Sequence, residues 1–180
     1  GYMERPDIYR IGSWRWIITS LIFTIIFGYF IFGPYGTKIN NAIGEAVIDS
    51  KFLLSENYIS DYVDKVNEVD AKSFVYLHVL DSFFALSYSF LLWSISVRIF
   101  LERIQMSNEF LTVFSLFGGL FDLVENIMII GLIYFKKSVF DSFSKVLIFV
   151  TPGKFVLLGA TIVILLVGLI VSFFKHESEV

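Results

Sequence analysis

Apolar residues fall in four long runs along this chain, roughly Trp14 to Phe32, Phe74 to Phe100, Phe110 to Phe135 and Val146 to Phe174. Each is close to or above the ~20 residues an α-helix needs to cross a hydrocarbon core of ~30 Å. They predict four transmembrane helices. The connections around Glu102 to Glu109 and Lys136 to Lys145 are short, so consecutive spans are expected to be antiparallel neighbours. The expected fold is all-α: a single transmembrane domain over residues 1–180, a four-helix up-and-down bundle. The chain shows no internal repeat, which disfavours a transporter built from inverted halves.

One connection is long. Between about Gly33 and Ser73, Tyr58, Ile59, Tyr62, Val63, Val66 and Val69 recur at helical spacing, with Asp61, Asp64, Lys65 and Glu68 between them. This predicts an amphipathic helix over roughly 56–69. Ser55 is a good N-cap for it, and Leu54 is placed to staple onto Ile59. Such a helix rests on the bilayer surface or on the bundle, and can also serve as a lid over a site beneath it.

Composition sharpens the class. The 180 residues are 56% hydrophobic and 18% aromatic, and 17% are charged, against about 25% in soluble domains. This reads as a multi-pass integral membrane protein. Cysteine is absent, which excludes disulfides, thiolate metal sites and thiol catalysis. The first apolar run is too long and too aromatic for a cleaved signal peptide and is read as a retained span, with Met3 as the native start. All five arginines (Arg5, Arg10, Arg15, Arg98, Arg103) belong to the side that carries both termini, whereas most lysines belong to the other. The arginines crowd the span ends, which favours a cytoplasmic location for both termini. Trp14, Trp16, Tyr29, Tyr35, Tyr76, Trp93 and Tyr134 fit an aromatic belt. Nothing suggests nucleic-acid binding, and the expected surroundings are lipid.

Candidate chemistry lies inside the spans. A carboxylate at the bilayer centre costs at least ~2.5–3.5 kcal/mol on insertion scales, so its presence calls for a reason. In the second span His78, Asp81, Ser82, Tyr88 and Ser89 share one helical face, from which Tyr76 points away. In the third, Ser115, Gly118, Gly119, Asp122, Glu125 and Asn126 form a stripe of small and polar residues. In the fourth, Thr151, Lys154 and Thr161 align, with Pro152 and Gly153 expected to loosen the backbone. With a rise of ~1.5 Å per residue and alternating direction, Asp81, Glu125 and Lys154 reach comparable depths of ~10–15 Å below the long loop.

Those residue types suit acid/base work in a low-dielectric pocket. Asp81, Asp122 and Glu125 are the candidate catalytic carboxylates, and His78, Ser82, Tyr88, Asn126 and Lys154 the candidate substrate-binding groups. An apolar exterior makes a lipid or isoprenoid-like amphiphile the natural ligand. The competing reading is a structural or regulatory subunit whose polar cluster fixes helix packing, with Asn126, Ser82, Thr151 and Thr161 as interhelical glue and Gly118, Gly119 and Gly159 permitting close approach. His78/Asp81 and Asp122/Glu125 at i, i+3 resemble half of a bundle metal site, but the full pattern needs two Glu-x-x-His pairs and the second histidine is the distant His176. No metal and no cofactor are expected.

The stretch Leu80-Asp81-Ser82-Phe83-Phe84 with Tyr88-Ser89, followed by Asp122-Leu123-Val124-Glu125-Asn126, resembles a functionally uncharacterised family of small four-span membrane proteins. The likeness covers roughly Asp49 to Tyr134. It implies a shared fold and polar site and supplies no reaction.

Overall fold

The computed structural model describes residues 8–106 and 109–177. Met3 and Arg5 lie outside the described residues, and His176 outside the described side chains. Among the described residues the chain is helical with no strand: α1 (Ile8–Ile11), α2 (Trp14–Phe32), α3 (Pro34–Ile43), a 3₁₀ turn (Ile48–Ser50), α4 (Glu56–Val69), α5 (Ala71–Ser96), a π-helical turn (Val97–Arg103) and α6 (Phe110–Glu177). Three helical stretches, Trp14–Ile43, Ala71–Arg103 and Phe110–Lys175, are long and apolar enough to cross a membrane, which points to an integral membrane protein.

The last stretch differs from the expected pair of spans with a loop. Residues 136–145, read from their charge as a connection, are helical. They contain neither glycine nor proline, so nothing in their backbone chemistry stops a helix. Only Phe135 leaves helical dihedrals (φ −125°, ψ 25°). That single break turns the chain back on itself: Gly131 lies against the Phe143 ring, Gly118 against Leu158 and Gly153 against Phe121. A Cβ on Gly131 would sit 2.4 Å from Phe143 Cε2. Gly159 faces open space, so it does not serve the close approach expected of it. Pro152 keeps helical dihedrals, and Gly153 makes room for Phe121 rather than loosening the helix beside Lys154.

α3 was not foreseen in the long connection. Gly33 ends α2, Pro34 starts α3 at a position that needs no N–H donor, and Gly44 caps it in the left-handed region (φ 73°). The turn is tight, since a Cβ on Gly36 would lie 1.6 Å from the Ile31 carbonyl oxygen. α4 starts at Ser55, whose Oγ accepts from Tyr58 N–H at 3.2 Å. Its apolar side chains Ile59, Tyr62, Val63 and Val66 are buried, while Asp61, Asp64, Lys65 and Glu68 face outward. They join Ile48, Phe74, Leu77, Ile129, Leu132 and Leu147 in one apolar cluster that spans α4, α5 and both arms of α6. α4 therefore packs its apolar side chains against α5 and α6.

Polar contacts hold α4 in place. Lys136 Nζ reaches Asp64 at 2.6 Å and the Ser60 carbonyl at 3.0 Å. Glu45 receives Lys65 Nζ and the Tyr58 hydroxyl, both at 2.8 Å. The bond from Lys65, outweighing some burial, keeps the Glu45 carboxyl below its usual range. At the opposite end Arg98 stacks over Trp14 at 4.4 Å and donates to the Gly12 carbonyl at 3.2 Å, tying the start of α2 to the π-helical turn. Along its length α2 meets α5 through ring contacts such as Phe27 on Phe83 and Trp16 on Phe90. Most other α2 side chains stay exposed, as expected of a lipid-facing helix.

Candidate functional site

The polar faces of α5 and of the two α6 arms meet in the interior and form two hydrogen-bonded groups. The first is centred on Lys154, on the second arm. Its ammonium is 3.2 Å from Asp122 Oδ1 and donates to Glu125 Oε2. Thr151 donates to the other Glu125 oxygen, and the Tyr88 hydroxyl from α5 donates to Asp122 Oδ2 at 2.7 Å. Every charged atom in this group has a partner. The positions follow from helix periodicity: Thr151 and Lys154 are three residues apart, as are Asp122 and Glu125, so each pair projects from one face.

The second group runs across α5 and the first arm. Asn126 Nδ2 donates to Asp81 Oδ2 at 2.7 Å, and Asn126 Oδ1 lies 2.8 Å from His78 Nδ1. Because the Asn126 amide nitrogen is already oriented toward Asp81, its carbonyl oxygen faces the imidazole and accepts a hydrogen bond from His78 Nδ1–H. That assigns the tautomer by network logic. In the neutral ring, Nε2 of His78 is then the acceptor. His78 is 1% exposed, and this nitrogen has no partner.

A residue that sequence reasoning missed belongs here. Asp49, in the 3₁₀ turn of the long connection, buries Oδ1 with no partner. Its charge acts on Tyr62 in α4. Burial, with Asp49's charge behind it, pushes the Tyr62 hydroxyl well above the ordinary tyrosine range, and that hydroxyl is also unpartnered. Ile48 beside it is in the apolar cluster, and Phe52 packs against Phe155, the neighbour of Lys154. Among seven acidic residues of one loop, nothing in local spacing distinguishes Asp49. Its mark is only the apolar pair Val47-Ile48 that precedes it.

Other candidates stay apart. The Ser82 hydroxyl bonds back to the His78 carbonyl of its own helix at 2.9 Å, and Thr161 likewise to Leu157. Ser115 bonds to the Thr112 carbonyl. Ser89 is buried without a partner against Gly119. Tyr76 is exposed, as its helical position requires. Among the described residues no three His, Asp or Glu side chains gather closely enough to hold a metal ion.

The site is thus unbalanced. Lys154 is shared by Asp122 and Glu125, while Asp81 is held by the Asn126 amide and Asp49 Oδ1 has no partner. No family matches the chain, and neither a curated protein nor a solved structure is detectably similar to it.

Proposed function

We propose that this chain is a four-span integral membrane protein, with both termini on the cytoplasmic side, whose interior polar site binds the headgroup of a lipid or isoprenoid-like amphiphile and acts on it by acid/base chemistry. One observation carries the reading. The His78–Asn126–Asp81 chain ends in a buried ring nitrogen with a free lone pair. A buried polar atom without a partner costs about 1–3 kcal/mol, and a ligand that donates to this nitrogen, held in place by Asn126 and Asp81, would recover that cost.

Roles follow from the hydrogen bonds. His78 Nε2 is the proton acceptor, and Asp81 and Asn126 fix its ring and tautomer. Asp122 and Glu125 are the acidic pair on the far wall. Lys154 holds that pair in place, since its ammonium is occupied by both and is not a free hook for an anion. Tyr88 orients Asp122. Asp49 in the 3₁₀ turn and α4, with Tyr62 on its buried face, form the roof and lid.

A second reading has its own support: the Lys154 group is saturated, as a structural or regulatory core would be. Native mass spectrometry on protein extracted from its membrane, with His78→Gln alongside, separates the two. The acid/base reading expects a retained amphiphile in the wild type, lost in His78→Gln at an unchanged melting temperature. If both proteins carry no amphiphile, or the same one, the structural reading stands instead.

A further inference from the structure

The long connection carries an apolar pair that the interior site does not use. Lys51 leaves the 3₁₀ turn in an extended conformation (φ −92°, ψ 128°), in which successive side chains point to opposite sides. Its ammonium turns toward polar partners, 3.7 Å over the Tyr58 ring and 3.6 Å from the Glu45 carboxylate. Phe52 turns the other way and sets its ring 5.9 Å from that of Phe155, on the second arm of α6. Leu53 follows, 77% exposed, more than any other large apolar side chain among the described residues.

We propose that Phe52 and Leu53 form a wedge inserted into the hydrocarbon of the bilayer, with Lys51 at its polar margin. Continuity with the lipid-facing surface is the first reason. Phe155 lies ten residues beyond Lys145, or ~15 Å of helix rise. It belongs to a stretch whose neighbours Phe149, Val156 and Val163 are exposed, as lipid-facing residues are. A wedge seated on Phe155 therefore extends the apolar exterior of the second arm. The division of polarity is the second reason. A cation directed away from an aromatic and aliphatic pair is how an interfacial anchor is built, with the ammonium among headgroups and the pair below them.

The backbone allows the insertion. Ser50 N–H and Lys51 N–H donate to the Val47 and Ile48 carbonyls at 3.0 and 3.2 Å, so the turn that leads into the wedge closes its own hydrogen bonds. Asp49 is then held between two anchors, Ile48 in the apolar cluster and Phe52 on the second arm. The wedge requires only that the chain is embedded in a membrane, so it stands whether or not the amphiphile reading of the core does.

The chain has no cysteine, so a single introduced thiol can be labelled without background. Full-length Leu53→Cys and, as a control on the exposed side of α4, Asn67→Cys are labelled with an environment-sensitive nitrobenzoxadiazole fluorophore and reconstituted in phosphatidylcholine vesicles. Quenching by doxyl-labelled phosphatidylcholine in the bilayer is compared with quenching by iodide in the water. Both positions are exposed, so both variants should keep the wild-type melting temperature. At position 53 the emission is expected to shift to the blue, and the ratio of doxyl to iodide quenching to be severalfold higher than at position 67. Equal ratios at the two positions would place the pair in water and overturn the proposal. A label at position 53 shielded from both quenchers would overturn it as well, because protein, such as a second copy of the chain, would then cover the pair.

Discussion

Replacing Lys154 with methionine removes the cation that Asp122 and Glu125 share and keeps most of the side chain's volume. In the intact protein Nζ is bonded to both carboxylates, and all three residues are buried. Removing one partner from a buried pair costs about 3–5 kcal/mol, because the surviving charge has no compensation. Two charges survive here, so the upper part of that range is expected. For a chain of this size each kcal/mol lowers the melting temperature by about 2–4 °C, so about 4–5 kcal/mol gives a fall of about 8–20 °C. Adding Glu125→Gln and then Asp122→Asn removes the stranded charges one at a time. The triple variant should recover to within about 2 kcal/mol of the wild type, since replacing a buried ion cluster whole is often neutral. Tryptophan fluorescence during heating in detergent micelles, over the full set of single and combined variants, measures the coupling. A Lys154→Met melting point within about 2 °C of the wild type, or a triple variant no better than the single one, would refute the reasoning.

Gly119→Ala places a Cβ 1.5 Å from Ser89 Oγ and 2.7 Å from Ser89 Cβ, so it should destabilise by about 1–3 kcal/mol; adding Ser89→Gly should restore the melting temperature. Asn126→Ala strands both His78 Nδ1 and Asp81 Oδ2 and should cost about 1–3 kcal/mol for each group left without a partner, read in the same melts. The Glu45 carboxyl is held below its usual range mainly by Lys65, so its contribution is present above the unfolded glutamate value and lost as pH falls through the lowered folded value. Hydrogen-exchange protection factors in α4, corrected for the intrinsic rate at each pH, should therefore fall on acidification below the ordinary glutamate range in the wild type, and much less in Glu45→Gln.

The bounds of the helix α2 were legible to the residue, because Trp14–Phe32 is mostly apolar and bounded by Ser13 and Gly33. The break inside α6 was not. Lys136, Lys137 and Lys145 mark polarity, and polarity alone does not end a helix; the break falls instead on Phe135, whose type gives no warning. α4 and its cap at Ser55 could be read because period and capping chemistry agree. α3 was overlooked although Gly33-Pro34 and Gly44 bracket it, since its short, half-polar sequence lacks a strong period. The interior cluster was legible through helical spacing, which brings Asp81, Asp122, Glu125, Asn126 and Lys154 onto facing stripes. Spacing could not tell Ser82 and Thr161, which bond to their own helices, from Thr151, which reaches across. Nor could it reach Asp49, because a loop residue's position depends on tertiary packing rather than on period.

The two polar groups differ in a way that bears on function. The Lys154 group has every charged atom paired and lies where the arms of α6 cross α5, so it sets their register. The His78 group ends in a ring nitrogen without a partner, and Asp49 in the long connection likewise buries an oxygen without one. Stability and ligand retention should therefore separate by position. Substitutions around Lys154 should lower the melting temperature. Asp49→Asn keeps the shape of a side chain whose buried Oδ1 makes no hydrogen bond, so it should leave the melting temperature within about 0.5 kcal/mol of the wild type. The same variant should reduce the amphiphile retained in native mass spectra. If Asp49→Asn instead lowers stability as much as Lys154→Met, the roof is part of the structural core and the distinction between the two groups fails.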